Sequence, residues 1–295
     1  MKIAVFRPLG LGEVLSTVPA LRALDAAYPA AHITLVGAAK ARPLATRLRR
    51  YLDGYLDFPG FPGIPGPARI AALPAFFDQA RAARFDLAVQ MQGSGEIANP
   101  LVMLMGAVRT AGFYRFGRFT PDPGRYLQWR DDEAEPARWL RLLEHLGVPS
   151  RGSHLEFPLQ EADFSEAGRF GLEGCALLHP DGGAGEARWR AERFAELGDA
   201  LAGEGLRVAL TGAARSGELT RAVRDAMREP AADLAGRTTL GGLGALVSRA
   251  RVGVSAHPGI GVLAAATRTP AVLVARGGAL QDALRDIARA LACAA

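Results

Sequence analysis

Short runs of β-branched and aliphatic residues alternate along this chain with longer segments whose apolar positions recur every three to four residues. That alternation is the signature of βα units and of parallel sheets buried on both faces. In the first half KIAVFR, HITLVG and FDLAVQM predict strands, and helices are expected from about Gly12 to Ala27, Ala68 to Ala83 and Ile97 to Gly106. Between them DFPGFPGIPGP, Asp57 to Pro67, holds too much Pro and Gly for either element and predicts a loop. In the second half CALLHP, LRVALTG, ADLAG, VGVSA and AVLVA predict strands. Helices are expected there over Ala191 to Ala202, Ser216 to Met227, Leu240 to Ala250, Gly259 to Thr267 and Leu280 to Leu291.

The two series are separated by FPLQEADFSEAGRFGLEG, within Gly152 to Gly174, a polar, turn-rich passage that reads as an interdomain connection. The expected architecture is therefore α/β, with two doubly wound domains facing each other across a cleft: 1–160 and 161–295, the final helix free to pack back on the first domain. Ligands in such sheets bind at the carboxyl ends of the strands, so function is to be sought in the turns that follow each strand.

Composition narrows the class. The 295 residues suffice for two domains with separate cores, and 49% hydrophobic with 22% charged residues describes a globular chain. The formal charge of +5 favours anionic partners, yet the arginines are interleaved with acids, as in RAVRDAMREP, and no basic motif or aromatic platform points to nucleic acid. The two cysteines, Cys175 and Cys293, make neither a disulfide framework nor a metal site. Lys2 leads directly into a strand without a signal peptide, and no apolar run approaches the roughly 20 residues that span a bilayer. A cytoplasmic monomer is expected, able to make peripheral contact with an acidic inner-membrane surface.

The strand ends carry the candidate chemistry. After the first strand, RPLGLGEVLSTVPAL has Gly10 and Gly12 for a tight turn and a close ligand approach, Gly12 being expected among the donor and phosphate contacts, and Glu13 at the start of a helix, as either a cleft-facing carboxylate or an ordinary first-turn acid. Ser16 replaces the third glycine of a dinucleotide fingerprint. LLHPDGGAGEARWRAERFAEL delivers Arg188, Trp189, Arg190 and Arg193 to a helix start, the arginines suited to phosphate and Trp189 to the core. LTGAA offers Thr211 and Gly212 to a ribose or phosphate edge. In ADLAGRTTLGGL, Gly236 opens the turn, Thr239 is the expected N-cap and Thr238 is left to line a pocket. SAHPGIGVLAAATRTP runs a strand through His257, Gly259 and Gly261 into a helix, whose free amides and dipole make a phosphate site. In the first half Arg7, Gln92, Ser94 and Asn99 lie near strand ends, as ligand contacts, which the family resemblance described next would make acceptor contacts, or as plain surface polar residues.

Taken in order, RPLGLGEVLSTVPALRAL, FDLAVQMQGS, HPDGGAGEARWRAERFAEL, RVALTG, DLAGRTTL and VLAAATRTPAVLV resemble the heptosyltransferases of glycosyltransferase family 9 over most of the chain. The resemblance implies the GT-B fold of two facing Rossmann-like domains. It implies inverting, metal-independent transfer of a heptose from ADP-heptose to a hydroxyl of lipopolysaccharide core or another glycan, lipid-linked or small-molecule acceptor, with no cofactor. Glu13 stands where the family has an aspartate base. Arg188 matches a basic pair whose lysine is Ala187 here, and Arg190 stands at a usual proline. The family's Asp-Thr-Gly triplet, followed two residues later by His, is matched by His257, Pro258, Gly259 and Val262. The departures leave a second reading open, a weakened or non-catalytic nucleotide-binding relative. A third is an epimerase or binding protein on a similar scaffold.

Overall fold

The computed structural model describes residues 1–182, 189–274 and 278–293. The chain divides into two compact units, Met1–Leu155 and Glu156–Ala295, so the boundary falls five residues before the expected one.

Unit 1 is a six-stranded sheet of β1 (Lys2–Phe6), β2 (His32–Ala38), β3 (Gly54–Phe58), β4 (Leu87–Gln90), β5 (Arg109–Tyr114) and β6 (Tyr126–Gln128). Its order is β3-β2-β1-β4-β5-β6 and every pairing is parallel. The strands β3, β5 and β6 were not expected. GYLDF and RTAGFY carry Gly and charge and YLQ is only three residues long; they are strands because they extend a sheet already nucleated by the apolar β1, β2 and β4. The expected Asp57–Pro67 loop accordingly begins two residues later, because Asp57 and Phe58 belong to β3. Phe58 meets Phe6 and Phe76 edge-on, at 5.0 and 5.2 Å between ring centres, in a core shared with helices Leu73–Ala83 and Ala98–Leu104. Burying each such ring contributes about 2–3 kcal/mol. The single helix expected over Gly12 to Ala27 is two, Leu11–Leu15 and Val18–Ala27, because Thr17 turns its hydroxyl onto Val14 O (2.6 Å) and Pro19 starts a new helix. Two further helices, Arg42–Arg47 and Glu135–His145, complete the unit, the latter packed on Val18–Ala27.

Unit 2 is a five-stranded parallel sheet of β7 (Ala176–His179), β8 (Val208–Leu210), β9 (Ala231–Asp233), β10 (Val252–Ser255) and β11 (Ala271–Leu273), ordered β11-β10-β7-β8-β9. The passage expected as a connection contains the unit's first helix, Glu161–Gly168. Gln160 and Asp163 cap its start reciprocally, which a polar composition disguises as a linker. The final helix, Leu280–Ala292, buries Ala283 and Ile287 in the core of unit 2 with Trp189 and Phe194, and so belongs to this unit. No helix among the described residues is long and apolar enough to cross a membrane.

Each sheet reverses its strand order once, between β1 and β4 in unit 1 and between β7 and β10 in unit 2. Neighbouring connections leave to opposite faces there, opening a crevice at the carboxyl ends of the strands.

Candidate active site

In unit 1 the reversal is built around a buried arginine. Arg7 follows β1, is 1% exposed, and spends its guanidinium inside the protein. Nε donates to Glu13 O (3.1 Å), Nη1 to Met91 O (2.7 Å) and Nη2 to both carboxylate oxygens of Glu135 (2.6 Å). Its guanidinium also lies 4.8 Å from the centre of the Trp139 ring. Burial lowers its pKa and the Glu135 carboxylate works against that shift. Arg7 is therefore not the acceptor contact the sequence suggested. It ties the ends of β1 and β4 to helix Glu135–His145 and fixes the main chain at Glu13. The Ser16 hydroxyl lies 2.8 Å from Glu13 O and 2.6 Å from Glu135 Oε2, and its one proton serves either.

Glu13 itself is half-buried on helix Leu11–Leu15. A Cβ placed on Gly10 would lie 3.1 Å from Glu13 Oε2 and 3.5 Å from Lys40 Nζ, so carboxylate and ammonium flank one point beside the end of β1. Lys40, just beyond β2, was missed because nothing in GAAKAR distinguishes it from a surface lysine. Gly12, expected with the donor ligands, is buried in unit 1, where its carbonyl accepts from Ser16 N–H (2.9 Å). Beyond β4, Gln92 and Ser94 are half-buried at the same sheet edge. Asn99 is 2% exposed and donates through Nδ2 to Phe113 O (2.8 Å), bracing β5, while its buried Oδ1 has no hydrogen-bond partner. Ser94, Tyr114, Arg115 and Arg118 help line a cavity of about 330 Å³ beside it.

In unit 2 two histidines meet at the reversal. The register pairs His179 with Ser255, bringing the His179 and His257 rings to 6.5 Å between centres. His179 Nδ1 lies 3.0 Å from Thr211 Oγ1. Burial, then the neighbouring His257, pushes the His179 pKa down to about 4, so its imidazole is neutral at pH 7. Thr211 is 1% exposed, with its hydroxyl committed to this contact. It positions His179 and is not open to a ribose or phosphate as expected. Asp181, 7% exposed, accepts from the Ser216 hydroxyl and lies 3.8 Å from Arg215. His179 and Asp181 surround the proline of HPD, a local polar signal that sequence reasoning passed over.

His257 caps helix Pro258–Thr267, its Nδ1 accepting from Gly259 N–H (2.9 Å). This corrects the expectation of free amides: Pro258 has none, the Gly259 N–H is taken by the ring, and Ile260 N–H bonds His257 O (3.2 Å). Because Nδ1 accepts, the neutral ring carries its proton on Nε2, which remains a donor. The helix start keeps its dipole, equivalent to about half a positive charge. Gly261 is half-buried, and nothing stands within 4 Å of where a Cβ would be, so the first turn has open space beside it.

The remaining turns frame this edge. Gly236 holds φ +68°, and a Cβ there would lie 2.8 Å from Ala214 Cα; its N–H bonds Gly212 O (2.9 Å), joining the turns after β8 and β9. A Cβ on Gly212 would press on Ser216 at 3.0 Å. Thr238 is half-buried, and Thr239 is the N-cap, accepting from Gly242 N–H (3.0 Å) while donating to Glu166 (2.6 Å). Trp189 is core, 5.4 Å from Phe194. Arg190 is exposed at the start of helix Ala191–Gly203, and Arg188 lies outside the described residues. Among the described residues, no group of three or more His, Cys, Asp or Glu could hold a metal ion.

Comparison with known proteins agrees with the topology. The sequence model of glycosyltransferase family 9 (heptosyltransferase) matches residues 74–274. A family 9 glycosyl transferase from Veillonella parvula superposes with a TM-score of 0.73 at 22% identity, covering 92% of this chain and 79% of that one. The E. coli ADP-heptose lipopolysaccharide heptosyltransferase II gives 0.70 at 24% identity, over 92% and 84%. The E. coli heptosyltransferase WaaC with ADP-2-deoxy-2-fluoro heptose gives 0.69 at 18% identity, over 92% and 88%. No curated protein matches the chain by sequence.

Proposed function

The chain belongs to glycosyltransferase family 9 and has the α/β fold of its heptosyltransferases; from that premise we propose that it is an inverting transferase whose base is Glu13. It moves a heptose from ADP-heptose to an acceptor hydroxyl. The acceptor oxygen attacks the anomeric carbon as its proton passes to the Glu13 carboxylate. The bond from that carbon to the diphosphate oxygen breaks on the opposite side, and the diphosphate leaves with the electron pair. The reading rests on one observation: each sheet reverses its strand order once, and Glu13 and His257 lie at those two places.

At unit 2 the developing negative charge on the diphosphate is met by the His257 Nε2–H and the helix dipole. Neutral His179 adds a polar wall without a competing charge. The donor assignment draws on the relatives, one of which carries an ADP-heptose analogue. Replacing Glu13 by Gln keeps the shape and removes the base. Turnover should fall at least about 100-fold while ADP binding, followed by calorimetry, is retained. Undiminished turnover would sink the assignment.

One observation favours a second reading, a nucleotide-binding relative with weakened catalysis. The Gly259 amide that would cradle a phosphate is already occupied by His257. ADP binding without any donor turnover, in the unaltered protein, would favour that reading.

A further inference from the structure

The loop after β3, PGFPGIPGP from Pro59 to Pro67, is held in one shape by its own chain. Pro59, Pro62, Pro65 and Pro67 fix φ and remove backbone donors. The ends are tied, because Arg69 N–H bonds Pro59 O (2.9 Å) and Gly60, at φ +90°, passes so close that a Cβ there would lie 2.0 Å from Pro67 O. In the middle Ile64 N–H bonds Phe61 O (3.0 Å), and the Ile64 side chain, 6% exposed, enters the core that holds Phe58 and Phe76. Such a loop is ordered before any ligand arrives.

Between it and the turns after β1 and β2 lies a hollow of about 360 Å³. That is near the lower end of the range for small-molecule sites, roughly 300–1,000 Å³. Pro8, Pro59, Pro65, Pro67, Phe58 and Ile64 give it apolar walls. Lys40 and Arg69, both exposed, also line it, and among the described residues no acid does. The carbonyls at its edge already have donors: Ala38 O accepts from Tyr55 Oη (2.5 Å) and Pro59 O from Arg69 N–H. A sugar ring seated there would strip water from its hydroxyls and find few partners for them, whereas an apolar ring gains from the same walls.

The hollow adjoins the proposed base. Its three turns follow neighbouring strands in the order β3-β2-β1, so about 10 Å of sheet spans it. Lys40 belongs both to its lining and to the point beside Gly10, where a Cβ would lie 3.5 Å from Lys40 Nζ and 3.1 Å from Glu13 Oε2. We propose that this hollow holds the apolar ring of the acceptor, which is a small hydroxylated ring compound rather than a polar glycan. Lys40 and Arg69 disfavour a basic ring. The acceptor hydroxyl reaches the Gly10 turn between carboxylate and ammonium, its proton passing to Glu13 as its oxygen bonds the anomeric carbon. Calling the occupant the acceptor rests on the transfer reading; its apolar character rests on the walls alone.

The test uses the full chain with naphthol as the apolar compound and methyl mannoside as the polar one. In equilibrium dialysis the unaltered protein should retain naphthol at least about tenfold more tightly than methyl mannoside. Ala39→Trp fills the hollow from an exposed position in its lining, and Pro65→Asp places a charge on its wall. Each should weaken naphthol binding at least about tenfold. ADP binding, which belongs to unit 2, should be unchanged in both and reports that they fold. Equal retention of the two compounds by the unaltered protein overturns the proposal, as does full naphthol binding in a variant that still binds ADP. Heptose transfer to methyl mannoside but not to naphthol overturns it and leaves the transfer reading standing. Naphthol binding that both variants lose, without transfer to either compound, supports the apolar occupant and removes the transfer reading.

Discussion

Units 1 and 2 use the same strand reversal, yet they secure the chemistry at it by opposite means. Unit 1 relies on a buried charge: the Arg7 guanidinium, its donors aimed at Glu135, Met91 and Glu13. Unit 2 relies on neutral polar contacts, with His179 against Thr211 and His257 on its own helix. An ionic brace resists mild acid but fails when either partner is removed, because the survivor is left charged and buried. A neutral imidazole survives loss of a neighbour more easily but cannot accept a proton without cost. Brittleness to substitution and sensitivity to acid should therefore separate between the two units.

The largest effect should come from Glu135→Ala. It strands the Arg7 guanidinium and should destabilise unit 1 by about 3–5 kcal/mol. Denaturant unfolding followed by Trp129 and Trp139, with Trp189→Phe in the background, reads this unit alone. A loss below about 1 kcal/mol would mean that packing around Trp139, and not the charge, holds the edge.

Acid should affect unit 2 instead. The unfolded chain protonates His179 near pH 6.5 and the folded unit only near pH 4, so between these values the unfolded state binds more protons and stability falls as pH falls. The loss should reach about 1–3 kcal/mol by pH 4. It should shrink in His179→Gln, compared by urea midpoints at neutral and acid pH. If both proteins lose stability equally, His179 is not the group responsible.

The smallest effect tests backbone rather than charge. Gly236→Ala forces a Cβ against Ala214 at a left-handed φ and should cost unit 2 about 2 kcal/mol, leaving the unit 1 transition where it was. A shift in both transitions would show that the two units do not unfold separately.

The same contrast explains what was legible in the sequence. In unit 2 every strand and nearly every helix could be read, because its strands are short apolar runs bounded by Gly and Pro and its caps are made by neighbours in sequence, as with Thr239 and Gly242. In unit 1 the strands β3, β5 and β6 were invisible, since their pairing depends on a sheet assembled from distant segments. Glu13 was singled out from its place after a glycine turn. Arg7 was misread because its partner Glu135 lies 128 residues away, and no local pattern distinguishes a buried, paired arginine from an exposed one. The contacts of Thr211 and Asn99 were hidden for the same reason: their partners lie 32 and 14 residues away. The helix start at Gly259 looked open because a histidine cap is not among the usual capping side chains.

That cap has a further property. Serine, threonine or aspartate before a helix would satisfy the Gly259 amide equally well, but each ends at the atom that does so. An imidazole is double-ended: one nitrogen is consumed by the turn, and the other projects on the far side of a flat, rigid ring. At His257 a residue that closes the helix thus also extends it by one donor, carrying the polarity of the backbone outward past the proline that would otherwise terminate it.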